Sequence, residues 1–171
     1  MRHLWIVMLL IPASAAAQGA YVTGSIGQFR QDAYVFSGTG TAVSVAVGAF
    51  ISPRVTIEGE AIHVLGFRPD ASDGEIPYSV AGLIGFHSAP TGRVRPGVCI
   101  GLGVQRLESS RTSSRGDVIR SGRSEMTLVM GLEVPVFVTP AFAIVPDVRV
   151  IGALAYRDMA LRPSLGVRWR F

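Results

Sequence analysis

The chain has 171 residues, enough for one domain and too few for two comfortable cores. Apolar residues make up 49% and charged ones only 16%, with a mean hydropathy of +0.40, whereas a soluble domain carries about 25% charged residues. The net charge of +4 comes from sixteen Arg and no Lys against twelve acids; the arginines are scattered rather than gathered on one face, which argues against nucleic-acid binding.

The first element is a leader. Met1-Arg2-His3 gives a short basic start, Leu4 to Ile11 an apolar run, and Ala15-Ala16-Ala17 a small-residue cleavage site, the layout of a secretory signal peptide. Residues 1–17 are therefore expected to be removed, leaving a domain over 18–171. After it, no apolar run approaches the roughly 20 residues that a spanning helix needs. Membrane-like composition without such a helix leaves the closed barrel, because only helices and barrels satisfy every backbone group in lipid.

Period-two alternation dominates from Tyr21 onward, and eight strands are predicted. The first lies at about 20–30, with Val22 and Ile26 on one face and Thr23, Ser25 and Gly27 on the other. The second, 41–51, sets Val43, Val45 and Val47 against Ala42, Ser44 and Gly48; the third, 55–65, sets Val55 and Ile57 against Thr56, Glu58 and Glu60. The fourth, 78–87, sets Tyr78, Val80, Ile84 and Phe86 against Ser79, Ala81, Gly85 and His87. The fifth, 93–107, is the cleanest: Val94, Pro96, Val98, Ile100, Leu102 and Val104 oppose Arg93, Arg95, Gly97, Cys99, Gly101 and Gly103. The last three, 124–134, 142–150 and 161–171, repeat the split, with Glu125, Glu133, Asp147, Arg149, Arg162, Arg168 and Arg170 on their polar faces. Pro146 falls in mid-strand, where a bulge is expected.

Long polar connectors near 31–40, 66–77, 108–122 and 153–159 alternate with short ones at 52–54, 88–92 and 139–140. This is the rhythm of a transmembrane barrel with both termini in the periplasm. A soluble barrel would put its bulky apolar face inside. Here the polar face, rich in Gly, Ala and Ser with interspersed Arg and Glu, suits a narrow polar lumen, and the uninterrupted apolar face suits lipid.

The chain ends SLGVRWRF, and Ser164, Gly166, Trp169 and Phe171 fill the places of a pattern that resembles the C-terminal assembly signal of outer-membrane barrels. Segment 93–104, RVRPGVCIGLGV, behind the turn Pro90-Thr91-Gly92, resembles the fifth strand of the outer-membrane protein A-like transmembrane barrel domain. Such families carry a Tyr after the Pro, where this chain has Gly97. The resemblance implies an eight-stranded antiparallel up-and-down barrel in the bacterial outer membrane, surrounded by lipid and recognised by the barrel-assembly machinery during biogenesis.

The lumen charges are then Glu58, Glu60, Arg93, Arg95, Glu125, Glu133, Asp147, Arg149, Arg162, Arg168 and Arg170. Charges in a confined space are costly unless paired, so they are read as a plug of ion pairs, with Arg93 or Arg95 expected across from Glu133. A narrow porin-like channel for small solutes is the first alternative, and a lipid A-modifying enzyme the second. For the enzyme, His87-Ser88 is the pair to weigh; adjacent strand residues point to opposite faces, which speaks against a nucleophile and base. His63 reads as a strand-end polar residue, and Arg115-Gly116-Asp117 as an ordinary loop rather than an integrin-binding tripeptide. The lone Cys99 excludes an intrachain disulfide and reads as an inert thiol. No spacing suggests a metal site or a phosphate-cradling loop. The expectation is a monomeric barrel of structural or surface-interaction type, without cofactor or catalysis.

Overall fold

The computed structural model describes residues 19–32, 37–69, 74–89, 92–112, 118–154 and 158–171; the leader 1–17 and the tripeptide 115–117 lie outside them. Among the described residues there are eight long strands, β1 (Ala20–Asp32), β2 (Gly38–Ser52), β3 (Val55–Pro69), β4 (Gly74–His87), β5 (Gly97–Thr112), β6 (Val118–Glu133), β8 (Phe142–Ala153) and β9 (Met159–Arg170), and a two-residue strand, β7 (Val136–Phe137). Each long strand pairs antiparallel with the next, and β9 pairs back onto β1. The ring is closed.

Successive register partners run from Val22 through Val47, Gly59, Gly82, Leu102, Leu128, Gly152 and Met159 back to β1 at Asp32. The ring therefore closes with a stagger of ten residues, from 22 to 32. Eight tilted strands with such a stagger leave an interior just wide enough for side chains to fill.

Side chains alternate as the sequence predicts. Ile26, Val45, Val80, Ile100, Leu102, Met130, Val148 and Leu165 are exposed on the outer wall, while Thr23, Ser44, Glu58, Ala81, Cys99, Thr127 and Arg149 are buried inside. In β1, Ile26 faces out and Thr23 in, the parity predicted for that strand. Phe86, Trp169 and Phe171 stand on the outer wall at the end that carries both Ala20 and Phe171, the turn end; Phe142 meets Trp169 edge-on, with ring centroids 6.5 Å apart.

Five features differ from the sequence reading. Residues 93–96 are not a regular strand: Pro96 and Pro135 remove ladder donors, so β5 starts at Gly97 and β6 stops at Glu133. The register nevertheless persists across the gap, through the Val94–Val136 bridge and the bond from Arg95 N–H to the Pro135 carbonyl at 3.0 Å. β7 is the resumed end of β6.

The bulge expected at Pro146 is absent, since Pro146 pairs with Leu165 in unbroken register. Its carbonyl accepts from Val134 N–H at 2.9 Å. In an antiparallel ladder a residue's N–H and C=O point to the same neighbour. The missing donor therefore faces the Val134-Pro135 gap, where the ladder is already interrupted.

A bulge occurs instead in β3. Thr39 pairs with Arg68 but Thr41 with Leu65, and Gly66 within this irregularity has φ of 58°. The extra residue brings Val64 and Phe67 both to the inside, and Phe67 packs edge-on against Phe29 at 6.2 Å.

Finally, the strands extend well into the segments read as long loops. Only 33–37, 70–73, 113–117 and 154–158 separate consecutive strands at the loop end, whereas 88–96 separates β4 from β5 at the turn end. The contrast between long and short connectors is thus weaker than the composition suggested. His63 is likewise not at a strand end; it is exposed on the outer wall within β3, paired with Val43.

Space at the Gly66 Cβ position is open, so a side chain there meets only the backbone cost of the left-handed region, about 1–2 kcal/mol, more for a β-branched residue. Gly66→Val is expected to destabilise the refolded barrel by at least this amount in urea unfolding, and Gly66→Asn by less. Equal stability of Gly66→Val and the wild type would refute the bulge.

Candidate functional site

The inward positions of β3, β6, β8 and β9 carry a charge cluster in the turn-end half of the interior. Arg168 on β9 grips Glu133 on β6 with both terminal nitrogens at 2.9 Å, donates from Nε to Thr23 Oγ1 at 2.9 Å, and lies over the Tyr21 ring at 4.3 Å. Tyr21 donates its hydroxyl to Glu58 Oε2 at 3.0 Å. Arg149 on β8 donates to Glu58 Oε1 at 3.0 Å, to Asp147 Oδ2 at 3.1 Å and to Cys99 Sγ at 3.1 Å. Arg162 on β9 donates to Glu60 Oε1 at 2.7 Å and Asp147 Oδ2 at 3.3 Å, and Ser164 donates to Asp147 Oδ1. All seven charged members are at most 9% exposed, and Arg162 is wholly buried.

Aromatic rings floor this cluster at the turn end. Tyr21 and Phe50 meet at a tilt of 59° with ring centroids 5.6 Å apart, His87 lies against Phe50 at 5.8 Å, and Phe137 is buried alongside. Arg170 caps Phe50 at 5.0 Å, and Arg95 caps Phe137 at 4.6 Å. His87 Nε2 bonds Thr56 Oγ1 at 3.2 Å and its Nδ1 stands 3.7 Å from Glu133. These contacts engage both ring nitrogens of His87 inside the barrel.

Toward the loop end the interior turns apolar. Phe29, Ala42, Ile62, Val64, Phe67, Ala81, Leu83, Val129, Ile151 and Ala160 form one buried cluster across the lumen. Beyond it lie Gln31 and Gln105, bonded across the barrel at 3.4 Å, and Glu125, paired with Arg123 at 3.2 Å. The lumen is therefore a charged lower half, a mainly apolar middle that also holds Ser79 and Thr127, and a polar mouth. The narrow polar lumen expected from the sequence thus has an apolar middle section.

Of the eleven charges assigned to the lumen, seven build the cluster: Glu58, Glu60, Glu133, Asp147, Arg149, Arg162 and Arg168. Glu125 is buried apart from them at the mouth, Arg95 and Arg170 are half-buried at the floor, and Arg93 is exposed. The pairing expected for Glu133 is corrected by register: Gly97, two residues beyond Arg95, lies across from it, and Arg168 takes both its oxygens. The sequence reading also missed Tyr21 and Thr23 as partners of Arg168, and the apolar middle. The inward parity of Ile62, Leu83, Val129 and Ile151 was the available signal for the latter.

In the terminal motif, Ser164 and Gly166 point inward, and Trp169 and Phe171 outward at the turn end. Gly166 has only 3.0 Å between its Cβ position and Ser25 Cβ, and Phe171 N–H bonds the Ala20 carbonyl at 3.0 Å. The motif thus sits on the seam that closes the ring. Among the described residues no group of three or more His, Cys, Asp or Glu side chains could hold a metal ion.

Removing one partner of a buried pair leaves an uncompensated charge, at a cost of about 3–5 kcal/mol. Glu133→Ala is expected to destabilise the barrel by that amount in urea unfolding, and Glu133→Leu combined with Arg168→Met to recover much of it. Additive losses in the two single variants and the double would contradict the coupling.

No family model matches the sequence, and the search of curated proteins returns no match. Solved structures do match in fold. Neisserial surface protein A superposes with a TM-score of 0.74 at 17% identity, over 89% of this chain and 97% of that one. The N-terminal β-barrel domain of Pseudomonas aeruginosa OprF gives 0.64 at 16%, over 90% and 100%. Ail, the attachment invasion locus protein of Yersinia pestis, gives 0.64 at 15%, over 90% and 98%. The chain has the fold of the small eight-stranded outer-membrane barrels.

Proposed function

We propose that this protein is a monomeric outer-membrane barrel with a structural or surface-interaction role, a non-conducting interior and no catalysis. The observation that carries this reading is the packed, mainly apolar middle of the lumen. Phe29, Ile62, Val64, Val129 and Ile151 are each at most 6% exposed and fill the section between the charge cluster and the mouth. A solute path would need a polar, hydrated lumen there. The outer wall supports the lipid setting, since its large apolar side chains remain exposed from β1 round to β9. The turn end, with its aromatic residues Phe86, Phe142, Trp169 and Phe171, belongs in the periplasmic interface, and the opposite rim faces outward. Two of the similar structures are named as a surface protein and an attachment protein, which supports a role carried by that rim. Against catalysis stands the engagement of His87 with Thr56 and Glu133 inside the barrel.

Planar-bilayer recording tests the reading. The purified barrel is expected to give no discrete conductance; reproducible single-channel steps would replace it by the narrow-pore alternative.

Lipid is the surrounding partner in this reading, and the assembly machinery acts on the final strand. Phe171→Asp is expected to yield processed but protease-sensitive chains in the periplasm. Normal amounts of folded, heat-modifiable barrel would remove the assembly role from Phe171.

A further inference from the structure

The two rims of the barrel set their arginines in different company. At the loop end, Arg30, Arg106 and Arg123 each lie beside an acid two residues on, Asp32 at 3.5 Å, Glu108 at 2.7 Å and Glu125 at 3.2 Å. At the turn end, Arg54 and Arg93 are exposed, and Arg95 and Arg170 half-buried. Among the described residues, the acidic side chains of that half, Glu58, Glu60, Glu133 and Asp147, are all buried inside the barrel. The terminal carboxylate of Phe171 is the opposing charge on that face.

Main-chain bonds fix the four arginines round this face. The Arg54 carbonyl accepts from His87 N–H at 2.7 Å and the Arg93 carbonyl from Phe137 N–H at 2.7 Å. Arg95 N–H donates to the Pro135 carbonyl at 3.0 Å, and Arg170 N–H to that of Ala141 at 2.7 Å. Neighbouring side chains set their level in the membrane. Ile51, Phe86, Val94, Val138, Trp169 and Phe171 are exposed in the same segments, and apolar groups of that size belong at the hydrocarbon boundary. The turns that join them therefore lie among lipid headgroups and not out in the periplasm. A guanidinium at that level meets phosphate, which it binds through paired N–H bonds.

We propose that the turn end is a binding surface for the headgroups of anionic phospholipids in the periplasmic leaflet, formed by Arg54, Arg93, Arg95 and Arg170. This rests on the outer-membrane reading given above and adds a lipid preference to it. A zwitterionic headgroup carries its own cation and gains little from a basic face; an anionic one gains from each arginine within a Debye length. The arginine–acid pairs of the loop end add no net charge to favour it there. A soluble polyanion would engage the arginines but not the apolar rim beside them, whereas a phospholipid engages both.

The test uses the refolded mature barrel in phosphatidylcholine vesicles, with a trace of spin-labelled phosphatidylglycerol or phosphatidylcholine as the probe. Electron spin resonance measures the fraction of each probe held next to the protein. A preference for phosphatidylglycerol of about fivefold is expected, the ratio that one basic group near the surface supplies, and high salt is expected to weaken it. Arg54→Gln with Arg93→Gln, both exposed, is expected to lower the preference to about twofold or less; the single variants serve if the pair fails to fold. Neutralising a loop-end pair, Arg106→Gln with Glu108→Gln, is expected to leave it unchanged. Equal association of the two probes, or an undiminished preference in the Arg54 and Arg93 variants, would overturn the site. A fall of the same size in the loop-end variant would overturn its place at the turn end. Binding of soluble peptidoglycan fragments without any lipid preference would overturn the headgroup as the occupant in favour of the cell wall. A barrel that enters no vesicle would overturn the membrane setting itself, whereas insertion without preference overturns this site alone.

Discussion

The constraint on which the rest depends is that every backbone donor and acceptor in a wall facing hydrocarbon must find its partner within the wall. A sheet meets this only by closing, and here closure is the β1–β9 ladder from Tyr21–Arg170 to Asp32–Met159. The ladder is strict enough that the prolines reveal it. Pro96, Pro135 and Pro146 converge on one patch of wall near the turn end, where β6 pauses before β7. Gathering the missing donors in one place confines the loss to a section that the 88–96 connector already interrupts. On the seam itself, the paired positions skip from Gly27–Ser164 to Arg30–Leu161, passing over Pro163.

Closure also fixes what the interior can be. Eight strands staggered by ten residues leave no room for a water column, so inward side chains must touch one another. Charged ones then need partners across the lumen. Three of the resulting pairs join strands that the ladder does not: Arg168 joins β9 to β6, Arg149 joins β8 to β3, and Arg162 joins β9 to β3. Neighbouring strands are held by their backbone bonds, and these three arginines add links between strands that do not adjoin. A well-packed apolar plug would match or exceed such a cluster in stability. Arg162 shows the inefficiency, with Nε and Nη1 lacking hydrogen-bond partners among the described residues. What an ion cluster adds is discrimination. A one-residue slip of any strand turns its charges out into lipid.

The same logic explains what was legible in the sequence. Outward parity was readable because a lipid-facing wall favours apolar side chains, His63 being an exception: the runs of β2 and β5, with Val43, Val45 and Val47 or Val98, Ile100 and Leu102, admit one orientation in a membrane wall. Inward parity is permissive, since a packed interior accepts Ile62 beside Glu60 and Val129 beside Thr127. Polar inward residues therefore drew attention, while apolar ones passed as noise. Register was readable only to within a two-residue step, because sliding a hairpin by two preserves every face; hence Arg95 stood in for Gly97 opposite Glu133. The effect of Pro146 depended on which neighbour its donor side faced. Periodicity does not encode that.

The interior is graded along the barrel, and the grading separates the two ends. At the turn end, rings and guanidiniums seal the floor: Tyr21, Phe50 and Phe137 under Arg168, Arg170 and Arg95. At the loop end, the apolar middle rises to Phe67 and Ala160, and above it only a thin polar layer meets solvent. At the β5–β6 hairpin the ladder runs as far as Thr112–Val118, and between β8 and β9 as far as Gly152–Met159. The bulge at Gly66 has its place in this arrangement. By turning Phe67 inward against Phe29, it carries the apolar middle up to the rim, so the polar layer above rests on a packed support and not on a water-filled shaft.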